Sequence, residues 1–282
     1  REVAQDGRRG ALMLTISIKH PDAERFIDAK VDTSKVTGAN VSVKIDDEFM
    51  RAAIAGKPYH QQFPIDAEKP MYEQDIDARA LWKKIIHNAW KSAEPGVLFW
   101  DTILRESIPD CYADEGFNTV STNPCGEIPL CPYDSCRLLA LNLYSYVDKP
   151  FTAEASFDFS KFRDHVGKAM RMMDDIIDLE LEKVEQIIAK IDADPEEADI
   201  RYVESNLWKK VREMALKGRR TGLGITAEGD MIAALGMRYG SDKAVAFAVE
   251  VHKTLALAAY GASVEMAEER GAFPLYDAAR EL

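Results

Sequence analysis

Asn123-Pro-Cys-Gly-Glu-Ile-Pro-Leu-Cys-Pro-Tyr-Asp-Ser-Cys136 is the stretch on which the reading of this chain turns. It holds three of the four cysteines in 282 residues, a density that composition alone does not produce. The inner pattern Asn123-x-Cys125-x-Glu127 has period two, so in an extended segment an amide, a thiol and a carboxyl project to one face. Such a face joins a hydrogen-bonding group, a reactive sulfur and an acid/base partner, the parts of a reaction centre. Gly126 lets the backbone come close to a ligand, and Pro124 stiffens the approach. Cys136 follows near enough in the chain to fold back towards Cys125 and to form a disulfide during turnover. Zinc binding is a rival reading, but the spacings between the cysteines contain no C-x-x-C pair and no histidine is near in sequence. A structural group of thiols is the other rival.

Upstream, residues 11–18 alternate, with Leu12, Leu14, Ile16 and Ile18 on one face and Met13, Thr15 and Ser17 on the other, which predicts a strand. His20-Pro-Asp22 punctuates it, with Asp22 as the N-cap of a short helix. Asn40-Val-Ser-Val-Lys-Ile45 alternates again as a second strand, and residues 46–54 read as a helix with an acidic start. Residues 56–73, with Pro58, Pro64 and Pro70, read as loop. A helix over 77–93 carries Leu81, Ile85, Ala89 and Trp90 on one stripe, and Val97-Leu-Phe-Trp100 reads as a short buried strand. Residues 104–122 read as a polar surface loop, with Cys111 a bystander thiol.

Downstream, Leu138–Leu143 fits a strand or a buried helix. From Asp158 the chain turns helical, and Phe162, Val166, Ala169, Met170, Met173, Ile176 and Ile177 form a stripe read as core packing. Residues 191–199 are acidic and read as a solvated connection. A further helix through Leu207, Val211, Met214 and Ala215 ends at Gly218. Ser241 caps a last long helix through Ala244, Ala248, Val251, Leu255 and Ala262, stopped at Gly271. Gly222-x-Gly224 lacks the third glycine of the dinucleotide fingerprint and reads as tight packing at a strand. The alternation of strands and helices predicts an α/β architecture with a largely parallel sheet.

The formal net charge of −12 argues against a nucleic-acid polymer as partner, because no basic field covers the chain. No run reaches the roughly 18 apolar residues of a membrane span, and residues 1–9 lack the apolar core of a signal peptide. A cytoplasmic setting follows, in which cysteines serve catalysis or metal binding more often than cross-linking. The five histidines are dispersed without ligand spacing, so no metal site is expected. The chain opens without Met in a Gly/Arg-rich loop and stops soon after a helix, which reads as an internal segment of a longer polypeptide.

These residues carry a family resemblance. Asn123–Leu130, followed by Pro132-Tyr-Asp-Ser-Cys136 and Leu141-Asn-Leu143, resembles the active-site segment of ribonucleotide reductases, and is most similar to the adenosylcobalamin-dependent class II enzymes. Gln5–Met13 with His20-Pro-Asp22, Pro95–Thr102, and Arg219–Ile225 with Gly229-Asp230 extend it in order along nearly the whole chain. The resemblance implies a segment of the ten-stranded α/β barrel, with residues 1–282 a single piece of the catalytic barrel domain. It implies thiyl-radical reduction of ribonucleotides to deoxyribonucleotides, the supply for DNA replication, with oxidation of a cysteine pair. By resemblance Cys125 is the thiyl radical that takes the 3′ hydrogen, Glu127 accepts the 3′-hydroxyl proton, Asn123 hydrogen-bonds the sugar, and Cys136 belongs to the redox pair. Gln5, Asp6, Gly7, Arg8, Arg9 and Gly10 resemble the loop that links an allosteric nucleotide to the substrate base, with Arg9 reaching the substrate or its phosphates.

The implied cofactor is adenosylcobalamin. The implied partners are a ribonucleotide, a dNTP or ATP effector, a thioredoxin- or glutaredoxin-type reductant, and either a second copy or complementary chains. The alternatives are the large subunit of a class I enzyme with a separate radical-generating subunit, or a catalytically incomplete nucleotide-binding fragment. In the family the partner cysteine and the tail that re-reduces the site lie outside this span, so the isolated chain is expected to be inactive.

Overall fold

The computed structural model describes residues 4–5, 8–32, 36–135 and 137–281, the first four of these through their backbone. The chain divides into two compact units, Arg1–Pro132 with Glu281, and Tyr133–Arg280 with Leu282.

In the first unit, β1 (Ala4–Gln5) and β2 (Arg8–Arg9) form a small antiparallel hairpin. Next come β3 (Met13–Ser17), α1 (Ala23–Ile27), β4 (Asn40–Ile45) and α2 (Asp47–Ala55). Then β5 (Pro58–Phe63), β6 (Tyr72–Asp77), α3 (Ala78–Ser92), β7 (Gly96–Phe99) and α4 (Trp100–Glu106) follow. A 3-10 segment, Ile108–Glu115, leads to β8 (Ser121–Thr122) and β9 (Pro129–Leu130).

Strands β3, β4 and β7 form a parallel sheet in that order, pairing Thr15 with Ser42 and Lys44 with Leu98. The period-two alternation therefore sorts the sheet into two faces. Ile16, Ile18, Val43, Ile45 and Val97 meet the helices and join Phe49, Leu81 and Ile85 in one core. Each fully buried side chain such as Phe49 or Ile85 contributes about 1.5–3 kcal/mol over its exposed state. The other face carries Thr15, Ser42, Lys44, Gly96 and Leu98. Asp46 and Asp77 cap α2 and α3 by accepting from the amides of Phe49 (2.7 Å) and Ala80 (3.0 Å). Asp22 stands at the N-cap of α1 as expected, yet its side chain makes no cap bond; its own amide donates instead to His20 Nδ1 at 3.0 Å.

Several expectations fail in this unit: Leu12 and Leu14 of the alternating face, Trp90 of the α3 stripe and Phe99 of β7 are exposed rather than packed. Residues 56–73 contain the β5–β6 hairpin, whose prolines sit at its start and in its connection and leave six pairs intact. Trp100 opens α4 rather than closing β7. The polar stretch 104–122 is not a surface loop throughout, because Tyr112, Phe117 and Thr119 are buried in it.

The second unit contains β10 (Leu138–Asn142), a 3-10 turn over Leu143–Tyr146, β11 (Val147–Asp148) and β12 (Ser156–Phe157). Long helices α5 (Phe159–Ala193) and α6 (Ala198–Gly218) precede β13 (Gly222–Thr226), α7 (Glu228–Ala234) and α8 (Asp242–Arg270). Leu138–Asn142 resolves as a strand, parallel to β13. A Cβ on Gly222 would lie 2.7 Å from the Arg137 carbonyl oxygen, so this glycine permits the close approach; Gly224 meets nothing comparable. The α5 stripe holds at Phe162, Val166, Ala169, Met173 and Ile177, all buried, while Ile176 is exposed. Phe162 packs edge-on against Tyr146 and Phe157 over α7 and α8. Ser241 caps α8 by accepting from Ala244, and Gly271 ends it. The architecture is α/β, with parallel ladders in both units. Among the described residues, no helix is long and apolar enough to cross a membrane.

Candidate functional site

The stretch around Cys125 is not extended. β8 and β9 pair antiparallel, Ser121 with Leu130 and Thr122 with Pro129, and the chain between them reverses. The Gly126 amide donates to the Asn123 carbonyl (3.0 Å), closing a turn over Asn123-Pro-Cys-Gly126. Asn at the first position, Pro at the second and Gly at the fourth are the residues a type I turn favours. Asn123 also ties the loop across its base: its amide donates to the Ile128 carbonyl (3.2 Å), and its Oδ1 accepts from the Ile128 amide (3.0 Å).

The same-face expectation for Asn123, Cys125 and Glu127 therefore fails, because local turn chemistry overrides the alternation. The Asn123 carboxamide is spent on the loop itself, Cys125 is exposed at the tip, and Glu127 is exposed. Gly126 sits at φ +85°, where a side chain is strained, although an added Cβ would meet only Leu98 Cδ2 at 3.7 Å. Gly126→Ala is expected to destabilise the first unit by about 1 kcal/mol through strain rather than clash. Urea unfolding checks this, and an unchanged midpoint contradicts it.

The hairpin borders a cavity of about 250 Å³, lined by Asn40, Ser42, Glu94, Leu98, Pro124 and Cys125 among others. Glu127 is not part of its lining. Glu94 accepts from the Val41 amide (3.3 Å) and pairs with Lys30, which fixes the end of α3 to the start of β4. Gly96 leaves room for the Ser42 hydroxyl, whose oxygen would lie 2.5 Å from an added Cβ.

Residues leading into the hairpin are held individually. Thr119 donates from its amide to Asp110 Oδ1 (2.9 Å) and from its hydroxyl to the other oxygen of the same carboxylate (2.5 Å). The Val120 carbonyl accepts from Lys44, and the Ser121 hydroxyl bonds Thr15 Oγ1 at 3.3 Å. Burial pushes the Lys44 ammonium below its ordinary pKa. Cys131 is buried and donates to the Phe117 carbonyl, so it packs the loop's return. Cys111, Cys125 and Cys131 form no disulfide among the described residues.

Cys136, Asp6 and Gly7 lie outside the described residues, and so do the side chains of Gln5, Arg8 and Arg9. Backbone of Gln5, Arg8 and Arg9 forms the β1–β2 hairpin, with Gly10 following it. Within the second unit, the residues flanking position 136 are clamped. Arg220 pairs with Asp134, while Arg137 forks onto both carboxylate oxygens of Glu180 and donates to the Arg220 carbonyl (2.9 Å). Arg219, at the left-handed end of α6, donates to Asp174 and Asp178 at 2.8 Å each. Burial pushes the Asp174 carboxyl up, but Arg219 and then Arg270 outweigh it and hold it below the usual carboxylate range. Asp174, Asp175 and Asp178 are close enough to share a cation, yet each already accepts from Arg219 or Arg270.

Sequence reading missed Asn40, Ser42, Lys44, Glu94 and Asp110. The first three carried a signal: polar residues at every second position of a central parallel strand, where both faces are normally apolar.

Comparison with known proteins agrees along the chain. The family model of the ribonucleotide reductase barrel domain matches residues 2–281. The vitamin B12-dependent ribonucleoside-diphosphate reductase of Thermoplasma acidophilum is 35% identical over 270 residues, covering 95% of this chain and 31% of that protein. Its namesake from Mycobacterium tuberculosis strain H37Rv is 32% identical over 275 residues, covering 97% of this chain and 34% of that protein. This chain thus spans about a third of the length of these relatives. The class Id ribonucleotide reductase alpha subunit of Actinobacillus ureae superposes with a TM-score of 0.68 at 19% identity, over 94% of this chain and 43% of that chain, a likeness of fold. The chain belongs to the ribonucleotide reductase barrel-domain family.

Proposed function

We propose that this chain is the part of an adenosylcobalamin-dependent ribonucleotide reductase that carries the substrate-radical thiol, both of its units being portions of one catalytic barrel domain. One observation carries the reading: a tight turn presents exposed Cys125 at the rim of a cavity floored by Asn40, Ser42 and Leu98. At about 250 Å³ that cavity suits a sugar-sized group.

In the proposed reaction, a thiyl radical at Cys125 takes the 3′ hydrogen atom of the ribose. Glu127 accepts the 3′-hydroxyl proton, which eases departure of the 2′-hydroxyl as water. A cysteine pair that includes Cys136 gives up two hydrogens to the 2′ position and the leaving hydroxyl, and ends as a disulfide. Glu127 then returns its proton to the 3′ oxygen, and the Cys125 thiol returns its hydrogen atom to the 3′ carbon, which regenerates the thiyl radical. Asn123 has its Oδ1 engaged with the loop, which leaves its NH₂ group for the sugar.

Adenosylcobalamin is inferred from the names of the relatives, and it would supply the radical. The cavity beside Cys125 is far smaller than a corrin ring, so these residues are assigned only the substrate side of the chemistry. Residues Gln5–Gly10 are proposed to relay a dNTP or ATP effector, and a thioredoxin- or glutaredoxin-type protein to restore the thiols. The cytoplasm is the proposed setting, and a homodimer the proposed assembly.

The test is an assay of the intact protein with ribonucleoside di- and triphosphates, adenosylcobalamin and a dithiol. Deoxynucleotide is expected only when the cobalamin is added. Formation that needs a separate radical-generating subunit instead contradicts the class II reading, and no formation under either condition contradicts the reductase itself.

A further inference from the structure

We propose that Lys44 is a positioning residue for Cys125, its ammonium group fixing the stem of the hairpin through the Val120 carbonyl. The functional meaning of this role rests on Cys125 being the reacting thiol.

β4 is the central strand of a parallel ladder, between β3 and β7. Such strands are apolar on both faces, because both are covered. Val41, Val43 and Ile45 obey this on the helix-facing side, where all three are buried. Lys44 breaks it on the other side. Its Nζ lies 4.0 Å from the centroid of the Trp100 ring and donates to the Val120 carbonyl. Among the described residues no carboxylate pairs with it, and burial lowers its pKa. Holding a partly desolvated cation without a counter-ion is unfavourable, so its ring and carbonyl contacts must offset that loss.

The carbonyl it meets explains the placement. Thr119, Val120 and Ser121 are tied to three different elements: the 3-10 segment through Asp110, β4 through Lys44, and β3 through Thr15. Thr119 and Ser121 make their ties with their own hydroxyls. Val120 has no polar side chain, and its amide already donates to the Leu130 carbonyl (2.9 Å) inside the hairpin. One residue thus belongs to both the stem and the anchor. A displacement there is carried along the paired strands to the turn, and misplacement of a reacting group by about 1 Å is enough to lower turnover a hundredfold.

The test is amide hydrogen exchange on the full chain, comparing Lys44→Met with Lys44→Arg, which keeps a cation able to reach the carbonyl and the ring. Lys44→Met is expected to speed exchange at Asn123, Gly126 and Ile128 by about tenfold or more, from the loss of one charge-assisted hydrogen bond. Amides of β4 are expected to stay protected, and Lys44→Arg to return the hairpin towards wild-type protection. Should Lys44→Met fail to fold, Lys44→Gln is read in the same way. Unchanged hairpin exchange overturns the proposal, and so does an equal increase throughout the sheet, which marks general loosening. In the intact protein, kcat is expected to fall with KM unchanged for Lys44→Met and to recover for Lys44→Arg; faster exchange with unaltered kcat also overturns the role. The exchange result stands whether or not ribonucleotides prove to be the substrate, so the two claims fail separately.

Discussion

Cys125→Ser is expected to abolish ribonucleotide reduction by the intact protein, lowering kcat by at least about a thousandfold while leaving substrate affinity and fold unchanged. The exposed thiol makes no hydrogen bond among the described residues, so an isosteric hydroxyl disturbs nothing structural. A substitution of that kind shifts stability by about 0.5 kcal/mol or less. The chemistry changes completely, because an alcohol O–H bond is much stronger than a thiol S–H bond and a serine cannot stand in as the radical carrier. Steady-state kinetics with calorimetric titration of substrate separates the two quantities. Retention of more than about a tenth of wild-type kcat contradicts the assignment. A fall in affinity matching the fall in rate points instead to a binding role for the turn.

Arg137→Met is expected to destabilise the second unit by about 3 kcal/mol, the lower end of what breaking a buried ion pair costs. The Arg137 side chain is 5% exposed and its fork holds both oxygens of Glu180, which is 26% exposed and so retains some water. The Arg220 carbonyl loses its donor in the same change. The double variant Arg137→Met with Glu180→Leu is expected to recover at least about half of the loss, since the stranded carboxylate is gone. Equilibrium urea unfolding of wild type, both single variants and the double variant completes the cycle. A single-variant loss below about 1 kcal/mol would mean that the pair behaves as a surface one. Because Arg137 and Asp134 bracket position 136, loosening them is also expected to slow re-oxidation of the proposed redox thiol.

The alternation in residues 11–18 and 40–45 was enough to place two strands, but not to say which side chains enter the core: Ile16 and Ile18 reach it, while Leu12 and Leu14 of the same face are exposed. The cap at Ser241 was legible for a local reason, since its bond spans three residues, whereas Asp22 was read as a cap and makes no cap bond, and Asp46 and Asp77 were read only as helix starts. Position 56–73 was not legible, because three prolines mask a hairpin whose pairing partner must be found by the fold. The cysteine stretch misled in geometry. Period two is a property of residue order, and Asn-Pro-x-Gly is also a turn signature; the turn prevailed because Asn123 and Gly126 satisfy each other's backbone within four residues. Lys44 and Glu94 act through contacts 53 to 76 residues away, and Asp110 through a half-buried carboxylate nine residues from Thr119; nothing local in the sequence marks such partners.

The most direct test of Cys125 as the hydrogen-abstracting group is turnover of a ribonucleotide deuterated at the 3′ carbon by the intact protein. A primary isotope effect on reduction by wild type, and no exchange of the 3′ hydrogen by Cys125→Ser, are the predicted results. Continued 3′ exchange in Cys125→Ser, or wild-type turnover with no isotope effect and no 3′ exchange, would contradict the assignment of that thiol.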